Sequence, residues 1–495
     1  MKSGEFETGV PGYLKRRHSD SGVSGLTKEG IQMSLRKKLI GDKAFYKMVL
    51  AVAVPMMIQN GITNFVGLLD NIMVGQIGTE QMSGIAIINQ LMFVFNLAIF
   101  GAVSGAGIFC AQFFGCGDIK GVRHAFRYKM YICLAIVLIG GFVLAAFGDE
   151  LTMLYLHGEE NGPALQATLG YARDYLKVIL WGLLPFGLES VYTSTLREGG
   201  ETYISMKAGI VAVFVNLILN YLLIFGKFGF PEMGVVGAAW ATVLSRYVQM
   251  LIVIVWTHRH VEKMPFIRNI YKSFKIPGAL AWKITLKGTP LMINEVLWAA
   301  GMAILMQCYS LRGLDTVAGM NISSTITNLF NVVFIAMGSA IAIIVGQLLG
   351  AGKMEEARDT DTKLIAFSVF SCLIMGGLLV LTAPLFPLFY NTTENVRYLA
   401  TVFIRIGAAY MPLHAFMHAA YFTMRCGGKT IITFLFDSAY MWCISIPVAY
   451  VLSRYTGLPI IPLYFACQMI DIIKCIVGAV LLKKGIWMNN IVAKE

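Results

Sequence analysis

Charge is scarce in this 495-residue chain: Asp, Glu, Lys and Arg together make up 14% of it, where a soluble domain carries about a quarter. With 57% hydrophobic residues and a mean hydropathy of +0.68, that scarcity excludes a water-soluble protein. Acidic residues are the rarer sign, 28 against 40 Lys and Arg. In a soluble chain the net charge of +12 would suggest nucleic acid; here the basic residues sit in tails and short loops, and no nucleic-acid partner is expected. Cysteine is an odd nine with no C-x-x-C, mostly inside apolar segments (Cys110, Cys133, Cys308, Cys372, Cys443, Cys467, Cys475). These read as small packing residues, not disulfides or metal ligands. There is also no H-E-x-x-H, G-x-S-x-G or G-x-x-x-x-G-K-[ST]. Gly428-Lys429-Thr430 ends like a P-loop, but Thr423 stands where the first glycine is needed. Neither an enzyme nor a cofactor is indicated.

What the chain has is apolar runs of more than 18 residues, recurring from Ala51 to Leu482 and each able to cross about 30 Å of hydrocarbon as a helix. Twelve spans are expected, over 44–69, 84–114, 129–147, 170–196, 202–226, 235–257, 284–310, 314–349, 362–390, 398–424, 430–453 and 460–482. The fold class is therefore an all-α polytopic membrane protein. Residues 1–43 hold nine Lys or Arg and no apolar core of a signal peptide, and read as a disordered basic tail. An even number of spans puts both termini on one side. The tails and alternate loops on that side carry 30 of the 40 basic residues, against four (Lys227, Arg312, Arg397, Arg454) in the loops between, and loop 148–169 has four acids and no base before its helix. The bias predicts cytoplasmic termini in a cell membrane.

The sequence repeats itself. An offset of 235 pairs Pro55 with Pro290, Gly84 with Gly319, Asn96 with Asn331, Gln112 with Gln347, Gly115 with Gly350 and Arg123 with Arg358, 14 identities in 69 ungapped positions. An offset of 228 pairs Lys177 with Arg405, Arg197 with Arg425, Gly199-Gly200 with Gly427-Gly428 and Thr202 with Thr430. Shared membrane composition does not explain Gln, Asn, Arg and Pro falling into one register. The period covers six spans, so the halves share one topology: an N-lobe over 44–257, a linker over 258–283, a C-lobe over 284–485 and a short tail over 486–495. Two such lobes suit a transporter, and without an ATP site its energy must come from an ion gradient.

Ionisable residues at bilayer depth then become functional candidates, since each costs several kcal/mol unless hydrated or paired. Asp70 stands at the outer end of span 1, where an interfacial carboxylate is the alternative reading; Glu295 lies within span 7. His414 in span 10, taken alone, reads as a satisfied core imidazole before it reads as a site residue. Asn216 and Asn220 fall one turn apart on span 5, placed either to offer carbonyl oxygens to a cation or to link helices. Asp471 and Lys474, three apart on span 12, are expected to neutralise each other. Glu189 and Asp437 are weaker candidates.

Several segments look familiar. "LLDNIMVGQIG" after Pro55, "AQFFGCGD" at 111–118 and above all "NLILNYLLIFGKFGFPEMGVVGAAWAT" at 216–242 resemble the MATE (multidrug and toxic compound extrusion) family, in its bacterial NorM-type branch. "LREGGET" (196–202) and "MRCGGKT" (424–430) resemble its paired Leu-Arg-x-Gly turns. The resemblance covers about 44–485. It implies a twelve-helix antiporter, usually monomeric, that expels organic cationic or amphipathic compounds in exchange for Na⁺ or H⁺. Asp70, Asn216 and Asn220 match an N-lobe cation site; Glu295 matches the span 7 acid of a C-lobe site, so Na⁺ is expected at Asp70 or Glu295. His414 departs from the pattern, standing where NorM-type members commonly carry Asp, and a Glu295–His414 pair would suit proton exchange. A dedicated natural-product exporter of this fold, or a lipid-linked oligosaccharide flippase, is the alternative. The flippase calls for more basic residues than the spans supply, namely Arg246, Lys474, Lys177 and Arg405.

Overall fold

The computed structural model describes residues 39–156 and 162–493. All but the last five residues of the expected basic tail lie outside that range, as do Glu159 and Glu160 of the acidic loop. Regular structure among the described residues is entirely helical. The helices are α1 (Lys43–Gly75), α2 (Thr79–Cys116), α3 (Ile119–Met153), α4 (Pro163–Ile179 and Leu183–Glu198, joined by a 3₁₀ turn at Leu180–Gly182), α5 (Tyr203–Phe225), α6 (Gly234–Arg259), α7 (Gly278–Ser310), α8 (Leu314–Gly350), α9 (Met354–Thr382, continued by 3₁₀ turns over Ala383–Phe389), α10 (Glu394–Cys426), α11 (Thr430–Tyr455) and α12 (Ile460–Lys483). Eleven are long and apolar enough to cross a membrane; α4, interrupted by its 3₁₀ turn, is not among them by that measure.

The helices overrun the apolar spans expected from sequence. The third was expected from residue 129 and begins at Ile119; the seventh was expected from 284 and begins at Gly278; the ninth was expected from 362 and begins at Met354. In each case the missing turns carry charge, such as Lys120, Arg123 and Arg127 or Glu355 and Glu356. Hydropathy sees the hydrocarbon crossing, while the backbone keeps its hydrogen-bond ladder into the polar interface.

By packing, the chain divides into two compact units. One comprises Ile58–Cys110 and Ile119–Met292. Its aromatic core sets Phe126 edge-on to Tyr192, with ring centroids 5.0 Å apart, and 5.3 Å from Phe266. Gly105 lies against the backbone of Gly288, so α2 and α7 approach as only glycine allows. The segment between α6 and α7 is pinned by arginines. Arg127 donates to the carbonyls of Ile270 and Lys275, and Arg123 to those of Pro265 and Phe266.

The other unit comprises the described residues up to Met57, Ala111–Asp118 and the chain from Ile293 onward. Its core packs Val49 and Ala53 of α1, Met337 and Ile341 of α8, Leu364 of α9 and Met424 of α10, all fully buried. Here the repeat is visible in contacts: Gly115 packs on the backbone of Gln347, and Gly350 packs on that of Gln112, the same contact with the copies exchanged. The chain after α12 closes over this place, where Gln112 Nε2 donates to the carbonyls of Cys426 (3.0 Å) and Asn489 (3.1 Å) and Ile491 N donates back to Gln112 Oε1 (2.8 Å). The divisions within α1 and α7 fall just after Met57 and Met292, each two residues beyond a repeat-matched proline, Pro55 and Pro290. Proline removes a ladder hydrogen bond there and softens the helix.

Candidate ion-coupling sites

In the first half, Asp70 stands half-buried near the end of α1, facing two amides of α5 that lie one turn apart. Asn220 Nδ2 donates to Asp70 Oδ1 at 2.7 Å. The Asn216 amide, with its nitrogen toward Asp70, donates at 2.9 and 3.2 Å to the two carboxylate oxygens. Asn220 Oδ1 is buried and accepts no hydrogen bond among the described residues. No Lys or Arg forms an ion pair with Asp70 among the described residues. The site is thus a carboxylate met by two side-chain amides with no ion-paired Lys or Arg among the described residues, an arrangement that suits a hard cation or a proton.

The same unit buries Glu189, which accepts from Thr193 Oγ1 (2.7 Å) and Gln249 Nε2 (3.0 Å), and joins Arg197 Nη2 to Gln59 Oε1 (2.6 Å). Lys129, fully buried, is held by Ser194, Thr195 and Glu198.

The second half arranges its acids differently. Its α11 is distorted by π turns over Leu435–Ala439 and Met441–Ser445, the first carrying Asp437; such turns re-aim side chains and gather at functional places. Asp437 Oδ1 accepts from Lys474 Nζ of α12 at 2.7 Å, and its Oδ2 from Asn294 Nδ2 of α7 at 3.0 Å. Asn294, 1% exposed, is fixed in turn by Ser438, whose backbone N–H and hydroxyl both donate to its Oδ1. Its Nδ2 also reaches Tyr421 OH (3.3 Å), which donates to Glu295 Oε1 (3.3 Å). Arg425 Nη1 stands 3.9 Å from the same Glu295 oxygen. A continuous polar chain therefore runs from Glu295 through Tyr421 and Asn294 to Asp437 and Lys474.

The structure brings Asp70, Asn216 and Asn220 together, and leaves Glu189 in its own hydroxyl and amide cage. Glu295 and His414 do not pair: His414 Nε2 faces Asp471 Oδ2 at 3.7 Å, while Glu295 faces Tyr421 and Arg425. Nor do Asp471 and Lys474 neutralise each other, because the lysine crosses to Asp437 on the next helix. A rule of neighbours within one helix fails where a shorter, better-buried partner lies across the helix interface. Asn294, Tyr421 and Arg425 were missed as site residues. The repeat offered a signal for one of them, because Gln59, which accepts from Arg197, matches Asn294 under the offset of 235. Among the described residues there is no group of three or more His, Cys, Asp and Glu, so any ion bound at Asp70 or Glu295 would draw on amide, hydroxyl and carbonyl oxygens.

Twelve helices in a doubled arrangement, with carboxylates held inside the spans, define a multi-pass membrane transporter and not an enzyme. The sequence profile of the MatE family matches residues 55–222 and again 290–451, beginning at the paired prolines, and the chain belongs to that family. It is 27% identical over 418 residues to the probable multidrug resistance protein NorM of Thermotoga maritima, covering 83% of this chain and 86% of the relative. To the multidrug resistance protein PmpM of Pseudomonas aeruginosa it is 26% identical, covering 83% and 84%. Its fold is that of a solved multidrug resistance MATE family transporter in an outward-facing conformation, with a TM-score of 0.78 at 20% identity, covering 90% of this chain and 97% of that one.

Proposed function

We propose that this protein is a secondary antiporter that carries organic, cationic or amphipathic small molecules out of the cytoplasm in exchange for Na⁺ or H⁺, as a monomer with both termini cytoplasmic. The lobes are those expected from the repeat, 44–257 and 284–485, working by alternating access. The observation that carries the reading is Asp70, a half-buried carboxylate near the end of α1 that is served by amides and forms no ion pair with Lys or Arg among the described residues. Such a group is costly when ionised unless something positive joins it. Either an incoming ion or an organic cation can do so, and the two cannot both satisfy one carboxylate. Each therefore weakens the other's binding by the same factor, and this competition is the exchange. The names of its relatives support a drug-like cargo, and the excess of Lys and Arg in alternate loops supports the orientation.

The test is efflux of ethidium from proteoliposomes under an imposed Na⁺ gradient or an imposed pH gradient. One of the two gradients should drive it, and Asp70→Asn should abolish the dependence on that gradient. Gradient-driven efflux that is unchanged in Asp70→Asn defeats the proposal.

A further inference from the structure

The offset of 228 that pairs Arg197 with Arg425 also pairs Arg246 of α6 with Lys474 of α12. The two basic residues so matched have taken different partners. Arg246 lies over the Phe186 ring, 5.0 Å from its centroid, and its buried Nη1 has no acceptor among the described residues. Lys474 reaches a carboxylate: its ammonium sits 2.7 Å from Asp437 Oδ1 and is walled by the Phe436 and Tyr440 rings at 5.2 and 5.9 Å.

We propose that the Lys474 ammonium is a tethered substitute for the exchanged cation in the second half, so that Asp437 and Glu295 take no metal cation from solution and ion exchange falls to Asp70. The word "exchanged" rests on the antiport reading above; the geometry does not. In the second half each acid of the polar chain already has a positive partner, Lys474 for Asp437 and Arg425 for Glu295. The oxygen of Asp437 turned away from the lysine is taken by Asn294, leaving no carboxylate edge for an ion to displace. Of the remaining titratable groups around the ammonium, Asp471 is turned to His414, and His418 packs among Phe334, Tyr421 and Phe422. An added metal cation would find the charges of Asp437 and Glu295 already matched, in surroundings of low dielectric. Asp70 is the reverse case, a carboxylate met by neutral amides and in no ion pair with Lys or Arg among the described residues.

The lysine can be removed and its charge returned from solution. Thermal unfolding of the purified protein is followed as NaCl or ethylammonium chloride replaces choline chloride, in an Asp70→Asn background that silences the first site. With Lys474 in place, no response to Na⁺ is expected. Lys474→Ala should create one, a melting temperature that rises with Na⁺ concentration where that of the Asp70→Asn parent stays flat. Ethylammonium should act likewise, Lys474→Arg should show no gain, and adding Asp437→Asn should erase it. Should Lys474→Ala fail to fold in choline, it should be recovered from membranes solubilised in Na⁺ or ethylammonium. Equal melting in all three salts, or recovery in none, overturns the proposal, as does a Na⁺ response in the Asp70→Asn parent that Asp437→Asn removes. Failure of wild-type efflux would defeat the antiport reading without touching these measurements.

Discussion

Asp70 and Asp437 are carboxylates in the two halves of one duplicated scaffold, and they are balanced in opposite ways. Asp70 is met by neutral amides from one helix, and Asp437 by a lysine that belongs to the chain. Around them much of the shared frame survives, with an arginine from the Leu-Arg turn reaching the helix just past the paired proline in both halves, Arg197 to Gln59 and Arg425 to Glu295. Duplication kept the frame while the charge inventory diverged. One half can answer to an ion in solution; the other carries its own.

The sharpest way to break the contrast is Asp437→Asn, which strands the Lys474 ammonium in a site where both side chains are less than a fifth exposed. A loss of about 3–5 kcal/mol is expected in denaturation of the detergent-solubilised protein, and Asp437→Asn with Lys474→Met should recover most of it. If Asp437→Asn proves as mild as Asp471→Asn, the buried pair is not what distinguishes this half. Asp70→Asn should leave stability nearly intact while removing the mutual weakening of ion and substrate. Isothermal titration of substrate with and without the ion should show a difference of about 5–150-fold in wild type and none in the variant. Glu295→Gln, which keeps an oxygen for Tyr421, should leave the ion response of the first site unchanged, and a lost response would tie the two acids together. Asn220→Ala removes one donor from Asp70 and should weaken the ion effect by an amount equivalent to about 1 kcal/mol in the same titration. The smallest effect belongs to His414→Gln. Its contact with Asp471 is long and partly solvated, so less than about 1 kcal/mol is expected in melting, with no change in ion dependence.

Much of this frame was legible in the sequence because hydrophobic length and repetition are chain-local signals. Pro55 with Pro290 and Gly115 with Gly350 could be matched without coordinates, and their packing shows why they recur. Helix starts were less legible, since Arg123 and Arg127 look like loop residues to hydropathy although they lie within α3 and hold the inter-repeat segment. Pairing across helices was the least legible. Asn216 and Asn220 could be set on one face by spacing alone, but nothing in the spacing says that Lys474 turns toward α11, because a π turn within α11 aims Asp437 at it.

The crossing of Gly115 on Gln347 and Gly350 on Gln112 has an evolutionary corollary. The two glycines are a single touch point seen from each copy, so neither repeat is at liberty to drift there alone. A methyl group added on one side would press upon its twin's neighbour, and the only sequences that tolerate one would be those in which the opposite strand of the duplication had moved first.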